Sequence, residues 1–255
     1  LVAMSGGIDS TVTALMLHHE GYEVVGITMK TWDYASSGSS SKETGCCNID
    51  SFNDARQAAV HHGFPHFILD IREEFGDFVI ENFVEEYMAG RTPNPCVMCN
   101  THIKWRALLK RANALDCDFI ATGHYAEVRQ HDNGRYVISK GLDETKDQSY
   151  VLWGLDQELL ARTMMPLGKY RKSAIRQMAM DMGYPELAKK SESYEICFVP
   201  DNNYRGFLKR RVDGLEQQVA GGWFVDKEGK KLGQHKGYPF YTVGQRKGLD
   251  IALGK

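Results

Sequence analysis

The chain alternates between short apolar runs and longer segments in which apolar residues recur every three or four positions. Runs of strand length begin near residues 1, 22, 66 and 118, and a segment of helical periodicity follows most of them. This alternation is typical of an α/β fold. Because connections between parallel strands are almost always right-handed, we expect a parallel sheet with helices on both faces and ligands at the carboxyl ends of its strands.

The pattern predicts specific elements along the chain. Predicted strands span 1–4, 22–29, 66–71 and 118–122, with a β-hairpin over 126–140, and predicted helices span 11–21, 50–62, 73–88 and 103–115, with two more starting at Asp156 and Arg171. From about Glu216 the pattern changes to short strands with glycine-rich turns. We therefore expect a catalytic domain over 1–200 and a small β-rich domain over 201–255.

Composition narrows the class of protein. The 255 residues carry 31 Lys and Arg against 33 Asp and Glu, a formal charge of −2. Residues 201–255 hold 11 basic and 6 acidic side chains. This excess of positive charge is compatible with binding of a polyanion that crosses both domains, and equally with solvated lysines on a surface hairpin. No apolar run approaches the ~20 residues of a membrane span and no signal peptide opens the chain. We expect a soluble, cytoplasmic protein without a membrane partner, and, since the chain starts inside a strand, a part of a longer protein.

The segment Ser5-Gly6-Gly7-Ile8-Asp9-Ser10 joins the first strand to the first helix. Two glycines permit close backbone approach, and the helix N-terminus offers unpaired N–H groups to an anion. Ser5 and Ser10 add hydroxyls, and Asp9 could hold Mg²⁺ between phosphate oxygens. The segment has neither the lysine of the Walker loop nor the third glycine of the dinucleotide fingerprint. An ordinary strand-to-helix turn is the alternative.

Six cysteines in a chain of this size do not make a secreted disulfide scaffold, so catalytic, redox or metal-linked roles are expected. Cys96 and Cys99 follow two prolines just before a helix, where backbone N–H groups favour a thiolate. Cys197 lies about a hundred residues further on. Cys117 is most simply a core thiol, as Cys99 would be if it were structural. The pair Cys46-Cys47 lacks zinc-knuckle spacing, and the serine-rich run 36–41 predicts a mobile loop over the site.

Several motifs, taken together, carry a family resemblance. The first loop resembles the SGGxDS loop of the PP-loop ATP pyrophosphatases, and nearly the whole chain is similar to the tRNA-specific 2-thiouridylases. The matching motifs are Met4 to Ser10, Gly90 to Pro95 with Cys99-Asn100, Ala121 to Tyr125, Lys146 to Tyr150, Ile196-Cys197-Phe198 and Thr242 to Leu249. Independent motifs in one order make coincidence improbable.

The resemblance implies an activity. Members of this family convert the wobble uridine of certain tRNAs to 2-thiouridine with ATP, Mg²⁺ and sulfur that a donor protein delivers as a persulfide. The uracil C2 oxygen leaves poorly, so adenylation converts it into a group that departs as AMP. By resemblance Cys197 carries the persulfide, and Cys99 attacks the activated carbon or reduces the persulfide, which closes a Cys99–Cys197 disulfide.

The resemblance also assigns binding residues. Those implied for the nucleotide are Ala3, Met4, Ser5, Gly6, Gly7, Ile8, Asp9, Ser10, Met29 and Gly123. Those implied for tRNA are Asn94, Pro95 and Cys96 around the flipped wobble base, together with His124, Lys146, Asp147 and Gln148. Basic residues of the helix after Cys99 and of segment 205–211 are further candidates for phosphate contacts. The family's C-terminal β-barrel is not represented up to Lys255.

One position departs from the family pattern, because Cys96 stands where an aspartate is usual and a neutral thiol cannot replace that charge. Cys96, Cys99 and Cys197 could alternatively ligate an iron–sulfur cluster with one open iron. Two other functions also remain open on the sequence. One is an amide-forming PP-loop synthetase, which would leave the cysteines without a task, and the other is a non-catalytic ATP-binding module.

Overall fold

A computed structural model describes residues 1–32, 49–190, 196–199 and 201–251. Its strands are β1 (Val2–Ala3), β2 (Gly26–Lys30), β3 (His66–Asp70), β4 (Ile120–Ala121), β5 (Ala126–Gln130), β6 (Tyr136–Lys140), β7 (Thr163–Met164), β8 (Trp223–Val225) and β9 (Lys231–Gln234). The central sheet has the order β3-β2-β1-β4-β7, and every pairing in it is parallel. The predicted parallel α/β fold is therefore confirmed. The serine-rich run and Cys46-Cys47 lie outside the described residues.

Helices follow the strands in the order that the periodicity indicates. They are α1 (Ile8–His19), α2 (Ile49–His62), α3 (Arg72–Phe75), α4 (Glu81–Met88), α5 (Pro95–Met98), α6 (Trp105–Ala114), α7 (Gln157–Ala161), α8 (Lys172–Asp181), α9 (Pro185–Lys189), α10 (Tyr204–Arg211) and α11 (Leu215–Gln218). Two π-helical segments, Gly76–Ile80 and Cys99–Lys104, join α3 to α4 and α5 to α6. The predicted helix over 73–88 is thus continuous, and the one predicted from 103 begins eight residues earlier, at Pro95.

Three strands are shorter than predicted. The two residues of β1 pair with Gly26 and Ile27, and β2 begins at Gly26 rather than at residue 22. Of the strand predicted over 118–122, only Ile120–Ala121 forms a strand, β4. It lies between β1 and β7, which also has two residues. The β7 strand was not predicted, because two residues carry no periodic signal. The hairpin over 126–140 forms as β5 and β6.

The core of the first part of the chain continues into the second. Phe83 of α4 packs against Phe198 and Phe207, with ring centroids 5.2 and 6.0 Å apart. The same hydrophobic cluster takes in Leu215 and Phe240. Residues beyond 200 therefore share a hydrophobic core with α4 and with the segment that carries Cys99. Within the described residues, no helix is long and apolar enough to cross a membrane.

Candidate active site

The glycine loop is shaped by one left-handed residue. Gly6 has φ +71°, and a Cβ placed on it would lie 2.0 Å from the carbonyl oxygen of Ser51 at the start of α2. Any side chain at this position would both strain the backbone and collide with a backbone atom. Gly7 is the N-cap of α1, and no side chain of the described residues caps that helix. The first-turn N–H groups of α1 therefore remain available to an anion.

Hydroxyl groups brace the loop from inside. The Ser5 amide donates to Ser10 Oγ at 3.0 Å, Ser10 Oγ donates to the Gly7 carbonyl at 3.1 Å, and the two serine hydroxyls lie 3.2 Å apart. Ser10 is buried, whereas Ser5 is exposed. Ser10 thus holds the loop in shape, and Ser5 presents its hydroxyl at the surface. The flanking Ala3, Met4 and Ile8 end β1 and start α1, with Met4 and Ile8 buried.

A lysine absent from the loop reaches it from another helix. Lys172, the first residue of α8, places Nζ 2.7 Å from both carboxylate oxygens of Asp9, and the Tyr125 hydroxyl donates to Asp9 Oδ1 at 2.7 Å. The Lys172 side chain is 9% exposed and that of Asp9 is 32% exposed. Lys172 is not predictable from the sequence, because no local motif connects residues 163 positions apart.

The same carboxylate is the one suited to Mg²⁺. Magnesium sites commonly use one or two carboxylates together with substrate phosphates and water. Asp9 fits that donor set, since it stands at the loop and remains partly exposed. In this structure, however, its oxygens are engaged by Lys172 and Tyr125, so a metal ion would have to share the carboxylate with them.

Gly123 and Met29 lie at the carboxyl ends of β4 and β2, the two strands that flank β1. A Cβ on Gly123 would lie 2.8 Å from the Asp9 carbonyl carbon and 2.9 Å from the Ser10 amide nitrogen. The glycine therefore lets the turn after β4 seat against the start of α1. Met29 is half-buried near the end of β2 and packs against two hydrophobic clusters. Both residues are thus at the edge of the sheet that carries the glycine loop.

The cysteine helix begins at a capped turn. Asn94 Oδ1 accepts from the Val97 amide at 3.3 Å, and Pro95 occupies the first position of α5, where its missing N–H costs nothing. Cys96 is exposed in this first turn. Cys99 opens the π-helical segment and is buried. Single π turns inside helices are frequent at functional sites, since they redirect side chains.

Cys197 lies beside the same hydrophobic cluster as Cys99. Cys99 is a buried member of that cluster, and Cys197 is half-buried against it. Both cysteines therefore contact one hydrophobic cluster although they are remote in sequence. Within the described residues, no three His, Cys, Asp or Glu side chains converge as metal ligands. The exposed Cys96 is thus not gathered with Cys99 and Cys197, and the residues do not fit the three-thiolate cluster considered from the sequence.

His124 follows β4 directly. Burial, followed by the positive charge of Lys104, lowers the pKa of His124 to about 3. One ring nitrogen, Nδ1, lies 2.9 Å from Thr122 Oγ1, and the ring packs against Trp105. His124 is consequently a neutral hydrogen-bonding group at physiological pH, without a charge to offer a phosphate.

The Lys146 to Gln148 segment is a braced turn beside His124. Asp147 accepts from the Ser149 hydroxyl at 2.8 Å and from the Gly141 amide at 3.3 Å. Gln148 Oε1 accepts from the backbone amide of Tyr125, and the backbone amide of Gln148 donates to the Tyr125 carbonyl. Asp147 and Gln148 therefore fix this turn to the residue after His124. Lys146 extends from it and is half-buried.

The basic cluster over 205–211 is engaged within the protein. Arg205 donates to the Phe240 carbonyl, Lys209 pairs with Glu216, and Arg211 lies over the ring of Trp32. Arg205 and Lys209 are thus engaged within the second part of the chain, and Arg211 contacts the first part. On α6, by contrast, Arg106 and Lys110 are exposed.

Comparisons with known proteins find family models for both parts of the chain and relatives that align with all of it. Residues 1–201 match the family model described as a tRNA methyl transferase HUP domain, and residues 205–255 match the one described as a tRNA methyl transferase PRC-barrel domain. Relatives named tRNA-specific 2-thiouridylase MnmA are 69% identical in Amoebophilus asiaticus, 68% in Cytophaga hutchinsonii and 64% in Salinibacter ruber. Each alignment covers 100% of this chain and 67%, 69% and 67% of the respective relative.

Proposed function

The chain belongs to the tRNA-specific 2-thiouridylase family, and from that premise we propose that it catalyses ATP-dependent 2-thiolation of the wobble uridine in tRNA. The observation that carries the proposal is the pair Cys99 and Cys197 at one hydrophobic cluster, in a fold whose glycine loop suits a polyphosphate. The family models are described by methyl transfer, whereas the relatives at 64–69% identity are named for 2-thiolation. An amide-forming synthetase would leave the two cysteines without a task.

The nucleotide binds, in this proposal, at the carboxyl edge of the sheet. Gly6 and Gly7 let backbone amides approach the phosphates, and the N-terminus of α1 supplies the positive dipole end. Lys172 adds a full positive charge next to the loop, where it pairs with Asp9. When Mg²⁺ is bound it neutralises charge on the phosphates, and Asp9 is the residue that would hold it. Met29 and Gly123 border the site from the adjacent strands.

Adenylation makes the exchange of oxygen for sulfur feasible. The uracil O2 attacks the α-phosphorus of ATP, pyrophosphate leaves, and C2 then carries AMP as its leaving group. The turn formed by Asn94, Pro95 and Cys96 precedes Cys99, and neutral His124 follows β4. In this proposal a flipped base would enter at these two segments. Cys96 contributes no carboxylate, so base positioning relies on backbone groups and on Asn94.

The sulfur comes from a donor protein that carries a persulfide. The Cys197 thiolate takes the terminal sulfur, and the Cys99 thiolate then attacks Cys197 Sγ. This forms the Cys99–Cys197 disulfide and releases sulfide, which displaces AMP from C2. A reducing thiol must reopen the disulfide before the next turnover. Because its substrate is tRNA, we assign the activity to the cytoplasm.

The proposed function is tested by measuring the modified nucleosides that the protein produces in tRNA. The protein is incubated with unmodified tRNA, ATP, Mg²⁺ and a sulfide source, and the digested tRNA is analysed by mass spectrometry. We expect 2-thiouridine together with stoichiometric AMP, and neither product when ATP is omitted. If AMP formed without thiolated nucleoside in the presence of ample sulfide, the assigned reaction would be wrong.

A further inference from the structure

Two aromatic side chains near the candidate active site have no packing role. Tyr150 is 60% exposed, and Trp153, at 73%, is the most exposed aromatic residue in the described part of the chain. Exposure of a tryptophan to this degree leaves a large apolar surface in water and is uncommon without a binding role. The two residues are three positions apart in one short segment.

This segment is closely packed on both sides of the two rings, so their exposure is not a result of poor packing. Val151, Leu152 and Leu155 are all buried in the cluster around Trp105. Gly154 is seated so closely that a Cβ on it would lie 2.2 Å from Thr101 Oγ1. Tyr150 and Trp153 are therefore held facing outward by the buried residues on either side of them.

The segment is also attached to the cysteine helix. Asn100, the neighbour of Cys99, is buried and donates from Nδ2 to the Val151 carbonyl at 3.2 Å. At its other end, Gln148 pairs with Tyr125, next to His124. The exposed rings thus adjoin both the cysteine turn and the turn after β4.

Basic side chains lie in the same part of the molecule. Lys104 lies close enough to His124 to lower the pKa of that histidine, and Lys146 precedes Gln148 by two positions. Arg106 and Lys110 line a groove together with Asp156 and Glu158, and Asp156 is three residues beyond Trp153. Exposed aromatic rings with basic side chains nearby are a combination by which proteins bind unpaired nucleic acid.

We propose that Tyr150 and Trp153 form a stacking platform for an unpaired anticodon-loop base that neighbours the wobble uridine. The inference rests on the proposed function. Flipping the wobble base breaks the stack of the loop and leaves adjacent bases uncovered. Single-stranded RNA is commonly recognised when such bases stack on aromatic side chains. The platform holds the anticodon loop in place while the wobble uridine occupies the site beside Cys99.

Binding of a fluorescently labelled anticodon stem–loop RNA, measured by anisotropy, tests the platform. Trp153→Ala should raise the dissociation constant about 5- to 150-fold, the loss expected for one base–aromatic stack. Trp153→Phe should stay close to wild type because it keeps an aromatic face. Phe119→Ala is the control, since Phe119 is 44% exposed but lies before β4, at the opposite edge of the sheet from the glycine loop.

A second arm identifies the stacked base. Each loop nucleotide is replaced in turn by an abasic residue, and the effect of Trp153→Ala is measured again. At one nucleotide the two changes should not add, because either one removes the same stack. Wild-type binding without any effect of Trp153→Ala overturns the platform and leaves the proposed function standing. Failure of the wild type to bind the stem–loop overturns both.

Discussion

Lys172 Nζ lies 2.7 Å from both carboxylate oxygens of Asp9, which joins the first residue of α8 to the glycine loop across 163 positions of sequence. A lysine this buried requires a partner for its charge. The backbone amide of the same residue donates to Asp143 Oδ2 at 2.9 Å. The start of α8 is therefore fixed by two carboxylates, and the Lys172 ammonium group lies beside the glycine loop.

Replacement of Lys172 should impair nucleotide use more than it impairs folding. In Lys172→Met, Asp9 keeps the Tyr125 hydroxyl and some exposure to water, so we expect the free energy of unfolding to fall by about 1–3 kcal/mol, less than for a fully buried pair. AMP formation should fall about 100-fold, the scale for loss of one preorganised charge at a reacting phosphate. Urea denaturation and AMP release measure the two effects.

Lys169→Met is the matched control, because Lys169 is exposed three residues upstream. It should change neither quantity. Equal AMP release by wild type and Lys172→Met would rule out a nucleotide role for Lys172.

Alanine substitutions at Gly6 and Gly134 distinguish the effect of backbone strain from that of a steric collision. Both have positive φ, but a Cβ on Gly6 meets the Ser51 carbonyl at 2.0 Å, whereas one on Gly134 meets nothing within 4 Å. Gly134→Ala should cost only the ~1–2 kcal/mol of a left-handed L-residue. Gly6→Ala must also displace Ser51 or the loop. We expect it to abolish ATP-dependent thiolation, measured by nucleoside mass spectrometry, while Gly134→Ala stays active. Comparable activity of the two variants would contradict this account of the loop.

Local patterns were sufficient for most of the fold and insufficient for the electrostatics of the site. Apolar periodicity predicted the parallel sheet and the hairpin, because burial on a sheet or helix face leaves a repeat in the sequence. It could not predict β7, whose two residues are strand only because β4 lies beside them. The same limit applies to Lys172, since its partner Asp9 is reached only through the tertiary fold.

Motif recognition located the glycine loop and the cysteines, but not what each polar group contacts. Asp147 and Gln148 were assigned to tRNA from resemblance, and in the structure their side chains accept hydrogen bonds from nearby groups of the protein. A direct role in tRNA binding remains a prediction for both. Spacing along the chain carries no information on whether a side chain is already engaged.

The two candidate catalytic thiols can be separated from an ordinary one by substitution. With a persulfide-carrying donor as the only sulfur source, Cys99→Ser and Cys197→Ser should each reduce 2-thiouridine to background, because the persulfide route needs both sulfur atoms, and each should still bind ATP. Cys117→Ser is the control, since Cys117 is half-buried against a different cluster near β4. Mass spectrometry of the nucleosides and a nucleotide-binding titration give the two readouts. Thiolation that persisted in Cys99→Ser would exclude the proposed disulfide step.

Stability should depend on pH through His124. The pKa of His124 falls from 6.5 to about 3 in the folded protein because the ring is buried and lies near Lys104. Between about pH 6.5 and pH 3 the unfolded chain binds a proton that the folded protein does not, so acid favours unfolding. The contribution to the free energy of unfolding is fully present above pH 6.5 and falls by about 1.4 kcal/mol per pH unit below it.

The test compares slopes rather than single values, because carboxylates also contribute to acid unfolding. Urea denaturation of wild type and His124→Gln at pH 7.5, 6.5, 5.5 and 4.5 should give a shallower decline for the variant, since glutamine does not titrate. His131→Gln, on the exposed turn of the hairpin, should follow wild type. Parallel declines for all three proteins would mean that the pKa of His124 is similar in the folded and the unfolded protein, which would contradict a ring kept neutral by burial.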